Sequence, residues 1–127
     1  MAAGAVEIAL GALLGFPFAM AVDGGEGAQR WLRRVGVRSV RRLRQLHLDL
    51  IVMGVLLVAA GTAVPGLPLW VVLAVGVGGW TNALLFAPLA YDEDVQGRAW
   101  YRSVTLLSFI AVAAGWAGVA VVAVSRL

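Results

Sequence analysis

The sequence predicts an all-α fold, an integral membrane four-helix bundle, and three observations support this prediction. Hydrophobic residues make up 61% of the 127-residue chain, charged residues only 13%, and the mean hydropathy is +0.90. Soluble domains are typically about 45–50% apolar and about 25% charged. A chain this short has no water-soluble way to bury so much apolar surface. The apolar residues also fall into four segments, each near the ~20 residues that a helix needs to cross a bilayer.

The four segments predict a single membrane domain over residues 1–127. We place the spans at about residues 5–22, 46–64, 69–90 and 104–124. Each should be a helix, because irregular backbone cannot face lipid. The first span is the least certain, since it carries Glu7 near its start.

Arginine is concentrated in the connections on one side of the predicted bundle. The segment 23–45 carries most of it, and the connection 91–103 carries two more. Because the spans alternate in direction, both connections lie on the same side. The positive-inside rule then predicts a cytoplasmic segment 23–45 and outward termini, in a bacterial-type inner membrane.

The basic segment permits a second interpretation. Residues 29–46, "QRWLRRVGVRSVRRLRQL", have the pattern of an amphipathic helix that lies on the membrane surface and runs into the second span. The alternative is that the arginines only determine topology. The net charge of +3 does not predict a nucleic-acid partner, because most of the arginine lies between two spans. With no cysteine and one histidine, disulfides and a structural zinc site are not expected.

Few polar side chains lie within the spans, and each is a functional candidate. His47 lies near the start of the second span, and Gly54 and Gly61 follow on the same stripe at steps of seven. A ring nitrogen beside a glycine-lined stripe suits a flat ligand. The alternative, favoured by residue type alone, is an interfacial histidine bonded to a loop carbonyl. Asp49 lies roughly 200° around the helix from His47 and is expected to pair with an arginine or to pack toward another helix.

The third span carries an amide near its centre. Asn82 shares one helical face with Gly78 and Phe86, at spacings of four residues. An amide at this depth needs a partner within protein, so an interhelical hydrogen bond is the simplest interpretation.

Two stretches together resemble a known family. "RQLHLDLIVMG" (44–54) and "GGWTNALLF" (78–86) are similar to the signature segments of the styrene oxide isomerase and hydroxylaminobenzene mutase family of small four-span membrane proteins. His47 matches the family histidine, Gly54 the glycine, and Trp80 and Asn82 the W-x-N core. The resemblance implies a haem b whose iron is bound by His47 between subunits of a homotrimer. For His47, the resemblance therefore favours a haem ligand over the interfacial hydrogen bond that residue type alone favours.

The resemblance also implies a reaction and its site. In the isomerase branch the ferric iron acts as a Lewis acid on an epoxide oxygen, and a 1,2-shift gives an aldehyde. For this chain it implies an isomerase or mutase acting on a small lipophilic substrate of the epoxide or arylhydroxylamine type. Gly54 would lie against the cofactor, and Asn82 would be catalytic. If haem is present, Arg41 and Arg44 are candidates to pair with its propionates, because they are near His47 in sequence.

Three residues depart from the family pattern. Met53 replaces an asparagine, Gly78 an aspartate and Phe86 a tyrosine. With Trp80, these residues would line an unusually apolar substrate pocket. Two other functions stay open: a haem-binding membrane protein without isomerase activity, and a cofactor-free scaffold or partner subunit.

Overall fold

The computed structural model describes all residues from 1 to 127, and it contains helices and no strand. The helices are α1 (Ala2–Asp23), α2 (Gly25–Arg34), α3 (Val40–Ala63), α4 (Leu69–Leu84), α5 (Phe86–Tyr91) and α6 (Ala99–Val124), with a 3-10 turn at Glu93–Gly97. Four stretches are long and apolar enough to cross a membrane: α1, α3, α4 together with α5, and α6. The predicted all-α helical bundle is confirmed, and the architecture is that of a multi-pass membrane protein.

The four spanning helices form two antiparallel pairs. Helix α1 packs along α3, and α4 packs along α6. Contacts of α3 with α4 and α5 join the pairs, and α1 touches α4 only slightly. The order across the bundle is therefore α1, α3, α4, α6, with α1 and α6 at the outside.

One end of the bundle, which we call the basic end, brings the two arginine-bearing connections together. The backbone N–H groups of Arg38 and Ser39 donate to the Ala90 carbonyl at 2.8 and 3.0 Å. The Ser39 hydroxyl donates to Glu93 at 2.9 Å, and Arg42 Nε lies 3.4 Å from the same carboxylate. The prediction that both connections lie on one side is confirmed by these contacts.

The opposite end, which we call the turn end, is formed by the connection 64–68 and by residues near both ends of the chain, Met1 and Arg126. The Arg126 guanidinium donates to the carbonyls of Pro65 and Gly66. Met1 lies near Gly61, since a β-carbon added to that glycine would be 3.1 Å from Met1 Cγ. These contacts hold α6 and the start of α1 against the α3–α4 connection.

The predicted amphipathic helix over residues 29–46 is two helices instead of one. Helix α2 ends at Arg34, and Gly36 adopts φ +92°, a left-handed conformation that glycine tolerates best. Helix α3 then begins at Val40, six residues before the predicted start of the second span. The two helices still share an apolar contact, because Leu32 of α2 and Leu43 of α3 are buried in one cluster.

The third span is interrupted near its end. Helix α4 ends at Leu84 and α5 begins at Phe86, within the predicted span 69–90. Pro88 explains the break, because it has no N–H and its ring crowds the carbonyl four residues earlier, that of Leu84. The Tyr101 hydroxyl donates to the Leu85 carbonyl at this point, at 2.9 Å, and ties the break to α6.

Glycine lets α4 and α6 approach to backbone contact. A β-carbon on Gly115 would lie 2.7 Å from the backbone nitrogen of Val75, and one on Gly78 would lie 2.8 Å from that of Val112. Such distances are too short for any side chain. The glycine-rich pattern of these spans therefore reflects close helix packing.

Candidate functional site

His47 faces α1, and its imidazole is held from two sides. Nδ1 lies 2.7 Å from the carbonyl oxygen of Gly11. A carbonyl only accepts, so Nδ1 carries the proton and donates it, and Nε2 keeps its lone pair. The Phe18 ring stacks on the imidazole, with centroids 5.9 Å apart and planes 20° from parallel. Nε2 has no hydrogen-bond partner in the chain, and the side chain is only partly buried.

Two glycines of α1 make room for this ring. A β-carbon on Gly15 would lie 3.2 Å from His47 Cε1, so the imidazole rests directly on that glycine. A β-carbon on Gly11 would lie 3.1 Å from the backbone nitrogen of Ile51 and 3.2 Å from the His47 carbonyl. The small-residue pair therefore positions the histidine as well as the helix. The bonding carbonyl belongs to a spanning helix, whereas the sequence suggested a loop.

The glycine stripe of α3 is covered by α1. A β-carbon on Gly54 would lie 2.7 Å from the Gly4 carbonyl and 2.9 Å from the Ile8 backbone nitrogen. Gly61 similarly faces Met1. The stripe does not form the open surface for a flat ligand that the sequence suggested, because the first span occupies it. Gly54 thus has a packing role within the chain.

The residues around His47 fit a haem whose iron takes one protein ligand. No group of three or more His, Cys, Asp or Glu side chains could hold a bare metal ion. Arg44, one turn before His47, and Arg41 are exposed, and neither makes an ion pair. Arg42 is engaged with Gln45 at 2.9 Å. Close to His47 in sequence, the basic end therefore offers one free ring nitrogen and the unpaired guanidinium groups of Arg41 and Arg44.

Asp49 differs from its expected pairing. It is partly buried in α3 and forms no salt bridge with any arginine. The first of the two possibilities, a pair with an arginine, is therefore not formed.

The predicted substrate-pocket residues are distributed over different parts of the structure. Gly78 is buried against α6, and Phe86 packs beside Leu85 and Leu89. Met53 lies on α3 opposite Gly79. Trp80 lines a cavity at the turn end. These four residues do not surround one pocket within a single chain.

Asn82 makes no hydrogen bond within the chain, although its side chain is partly buried. Its neighbour Thr81 makes the interhelical bond instead, donating to Ser108 at 2.9 Å. Ser108 in turn donates to the Gly78 carbonyl at 3.1 Å. The amide of Asn82 is thus available to a partner outside this chain.

A large cavity lies between α1, α3 and α4 near the turn end. Its volume is about 670 Å³, and most of its lining is apolar, including Gly4, Leu57, Val72 and Trp80. Leu57 is ten residues from His47 along α3, which corresponds to ~15 Å. The cavity and the histidine are therefore two separate places in the molecule.

Glu7 is a functional candidate that the sequence reasoning missed. Its side chain is fully buried, with 0% exposure, and neither carboxyl oxygen has a hydrogen-bond partner. An ionisable residue within a spanning helix is a functional candidate by default, and that signal was present in the sequence.

Comparisons of the chain with protein-family models, with curated proteins and with solved structures give no match.

Proposed function

We propose that this chain is a haem b protein of the inner membrane, with His47 as the axial ligand, that rearranges a small lipophilic substrate. The observation that carries the proposal is the hydrogen bond from His47 Nδ1 to the Gly11 carbonyl. A metal-ligating histidine almost always donates its other ring N–H to a carbonyl, a carboxylate or water, which fixes the tautomer and the ring orientation. The same arrangement is present here and leaves Nε2 free.

The chain's own residues orient this ligand and its surroundings. Gly15 and Phe18 confine the imidazole from its two sides. Arg44 and Arg41 would pair with the propionates at the basic end, which the positive-inside rule places in the cytoplasm. When bound, the ferric iron would supply a Lewis acid toward a substrate oxygen, an effect that contributes several kcal/mol without a side-chain acid.

Asn82 would complete the site from another copy of the chain. Within one copy, His47 faces α1 while Asn82 lies on α4. A ligand that contacts both would therefore lie between subunits, which fits the homotrimer that the family resemblance implies. The free amide would then hold an oxygen or nitrogen of the substrate, and Met53 and Phe86 would give the site its apolar character.

The test is an absorbance spectrum of the protein purified in mild detergent from cells that make haem. We expect a Soret band in the wild type and none in His47→Ala. Asp49→Asn is the control, because Asp49 is on the same helix but points elsewhere. A Soret band of full intensity in His47→Ala would refute the assignment of the ligand.

Turnover separates the remaining alternatives. Purified protein is given styrene oxide or phenylhydroxylamine, and the products are identified by chromatography. Rearranged product that disappears in His47→Ala and falls in Asn82→Ala supports the isomerase or mutase. A Soret band without turnover indicates a haem-binding protein of another function, and the absence of both indicates a scaffold or partner subunit.

The propionate assignment is tested by the double variant Arg41→Gln, Arg44→Gln. It should retain haem less well than Arg30→Gln, Arg33→Gln, which removes the same charge from α2. Equal retention in the two variants would reject Arg41 and Arg44 as partners.

A further inference from the structure

Helix α2 carries charges that the proposed function does not use. Three of its ten residues are arginines, all of them exposed and none in an ion pair: Arg30, Arg33 and Arg34. Glu26, the one acid of this helix, forms no ion pair either. Arg30 donates from Nε to the Glu26 carbonyl within the helix, and its two terminal nitrogens stay free. These guanidinium groups are therefore available to an anion from outside the chain.

The acidic residues of the neighbouring connection do not neutralise α2. Asp92 and Glu93 are engaged with other arginines, Arg98 and Arg42. The segment 23–45 itself holds seven arginines and only two acidic residues. An excess of positive charge thus remains on the surface that α2 presents.

Packing fixes the orientation of α2 on the bundle. Leu32 is only 3% exposed and is buried in one cluster with Ala21 of α1 and Leu43 of α3. Arg30 and Arg34 each lie about 160° around the helix from Leu32, since an α-helix turns by about 100° per residue. Burial of Leu32 therefore directs both arginines away from the bundle. Arginines that only determined topology would need their charge and not a packed helix.

Exposed aromatic side chains surround this end of the bundle. Trp31 of α2, Tyr91 at the end of α5 and Trp100 at the start of α6 are each about half exposed. Tyr91 lies against the connection between α2 and α3, because a β-carbon on Gly36 would be 3.2 Å from its ring. Tryptophan and tyrosine are enriched where a membrane meets water, since one end of the side chain is apolar and the other is polar. These rings mark the level of the lipid headgroups, and α2 lies at that level.

Arg30 and Arg34 are neighbours on the surface of α2, because they are four residues apart. Trp31 is three residues before Arg34, so its ring lies beside the same pair. The helix therefore combines two free guanidinium groups with an aromatic ring that suits the interface. Arg33 is on the other flank and contributes charge without belonging to this group.

We propose that Arg30, Arg34 and Trp31 form a binding site for an anionic phospholipid such as phosphatidylglycerol. The two guanidinium groups bind the phosphate, and the tryptophan packs against the glycerol and the upper part of the acyl chains. Basic residues on an amphipathic helix beside a membrane span attract anionic lipids in this way. The site does not include His47 or the two arginines assigned to the haem propionates, and it goes beyond the proposed haem function.

The test compares phosphatidylglycerol with phosphatidylcholine of the same acyl chains. Each lipid is titrated into the full chain in detergent, and native mass spectrometry counts the bound molecules. The wild type should bind phosphatidylglycerol more tightly. Arg30→Gln, Arg34→Gln should weaken that binding by about fivefold or more, the effect of one arginine near an anionic surface. Phosphatidylcholine binding should not change.

The matched control is Arg98→Gln, Arg102→Gln, which removes the same charge from the other basic connection. It should bind phosphatidylglycerol with nearly the affinity of the wild type. Equal affinity of the wild type and of Arg30→Gln, Arg34→Gln for phosphatidylglycerol would overturn the proposal. The control variant weakening the binding as much as the α2 variant would overturn it too, because charge at any position would then suffice.

Tryptophan fluorescence locates the bound lipid. Bromine atoms on the acyl chains quench a tryptophan that they contact. In phosphatidylcholine nanodiscs, brominated phosphatidylglycerol should quench the protein more than the same fraction of brominated phosphatidylcholine does. This excess should disappear in Trp31→Phe. An excess that persists in Trp31→Phe would place the lipid at another tryptophan and refute the assignment.

Two further measurements identify the ligand class. Glycerol phosphate, which has the phosphate but no acyl chains, should not displace phosphatidylglycerol from the wild type, and neither should a short RNA. Displacement by either compound at the concentration of the lipid would assign these arginines to a soluble anion or to a nucleic acid. His47→Ala should bind phosphatidylglycerol like the wild type, so a failure of the haem proposal leaves this result intact.

Discussion

The two helix pairs of the bundle approach closely for the same reason but differ in the polar groups they enclose. Gly54 meets Gly4 in the α1–α3 pair, and Gly115 meets Val75 in the α4–α6 pair, in both cases at backbone contact. In α4–α6 the buried hydroxyls satisfy each other, since Thr81 donates to Ser108 and Ser108 donates to a helix carbonyl.

The α1–α3 pair is different. His47 makes a hydrogen bond with Nδ1 and leaves Nε2 free, and neither carboxyl oxygen of Glu7 has a hydrogen-bond partner. Close packing alone requires only small residues, and the hydroxyl pair shows how few polar groups suffice to join two membrane helices. The unsatisfied groups of α1–α3, the free ring nitrogen of His47 and the Glu7 carboxyl, exceed that need, whereas the hydroxyls between α4 and α6 are fully used in holding the two helices together.

The largest effect should follow from filling either glycine contact. Gly54→Leu and Gly115→Leu each force a side chain into the backbone of the neighbouring helix, and each should lower the free energy of unfolding by about 3 kcal/mol or more. Unfolding in mixed detergent micelles, followed by circular dichroism, measures the loss. If Gly54→Leu lowers the free energy of unfolding much less than Gly115→Leu does, α1 is held less tightly against α3 than α4 is against α6.

A smaller and more specific effect is expected at Gly15. Gly15→Val should displace the imidazole that rests on this glycine. If His47 binds haem as proposed, the affinity for haem should fall about tenfold, at the low end of the effect of mutating residues that orient a metal ligand. Titration of the purified protein with haem, followed by its absorbance, measures the affinity. Gly76→Val is the control, because no atom lies within 4 Å of a β-carbon there. Equal haem affinities of the two variants would show that Gly15 does not position the His47 imidazole.

The hydroxyl pair should contribute less. Ser108→Ala removes the bond with Thr81 and should lower the free energy of unfolding by about 0.6 kcal/mol, typical of interhelical hydrogen bonds in membranes. The same detergent unfolding measures it, with Thr62→Ala as the control, since Thr62 bonds only to carbonyls of its own helix. A loss above about 2 kcal/mol would show that Ser108 contributes more to the α4–α6 contact than one interhelical hydrogen bond does.

The smallest effect is expected at Gly76. Gly76→Ala places a methyl group in open space, so the free energy of unfolding should change by less than about 0.5 kcal/mol. A large destabilisation would mean that a subunit or ligand packs on this wall of the cavity. Comparison of monomeric and oligomeric fractions would then distinguish the two.

The spans could be predicted because hydropathy depends on local composition. The bounds of α1 and α6 differ from the predicted spans by a few residues, and those of α4 with α5 agree closely. Pro88 favours a break near Leu85, because proline in a helix interior removes a hydrogen bond, but Pro17 lies within the continuous helix α1, so proline alone does not predict where a helix stops. The separation of α2 from α3 required the left-handed conformation of Gly36, which a basic amphipathic pattern conceals.

The site was less predictable because it depends on which helices pair. Every span carries glycine, so the sequence does not say that the stripe of Gly54 faces α1 and not a ligand. The same lack of pairing information hid the environment of Glu7, whose complete burial requires that other helices, chiefly α3, pack beside α1. His47 stands out in the sequence as the only histidine, but its bond to Gly11 depends on that pairing too.

The burial of Glu7 also constrains the order in which the protein is made. Helix α1 leaves the ribosome before α3, so it enters the bilayer while its acid has no neighbour to enclose it. The high hydropathy of α1, 1.9 over its best window, allows insertion despite a single carboxyl. Until α3 arrives, Glu7 faces lipid or the insertion machinery, and the nascent first span is the part of this chain most exposed to quality control. A variant that delays α3, for example by a longer segment after Asp23, should therefore lower the amount of protein that accumulates.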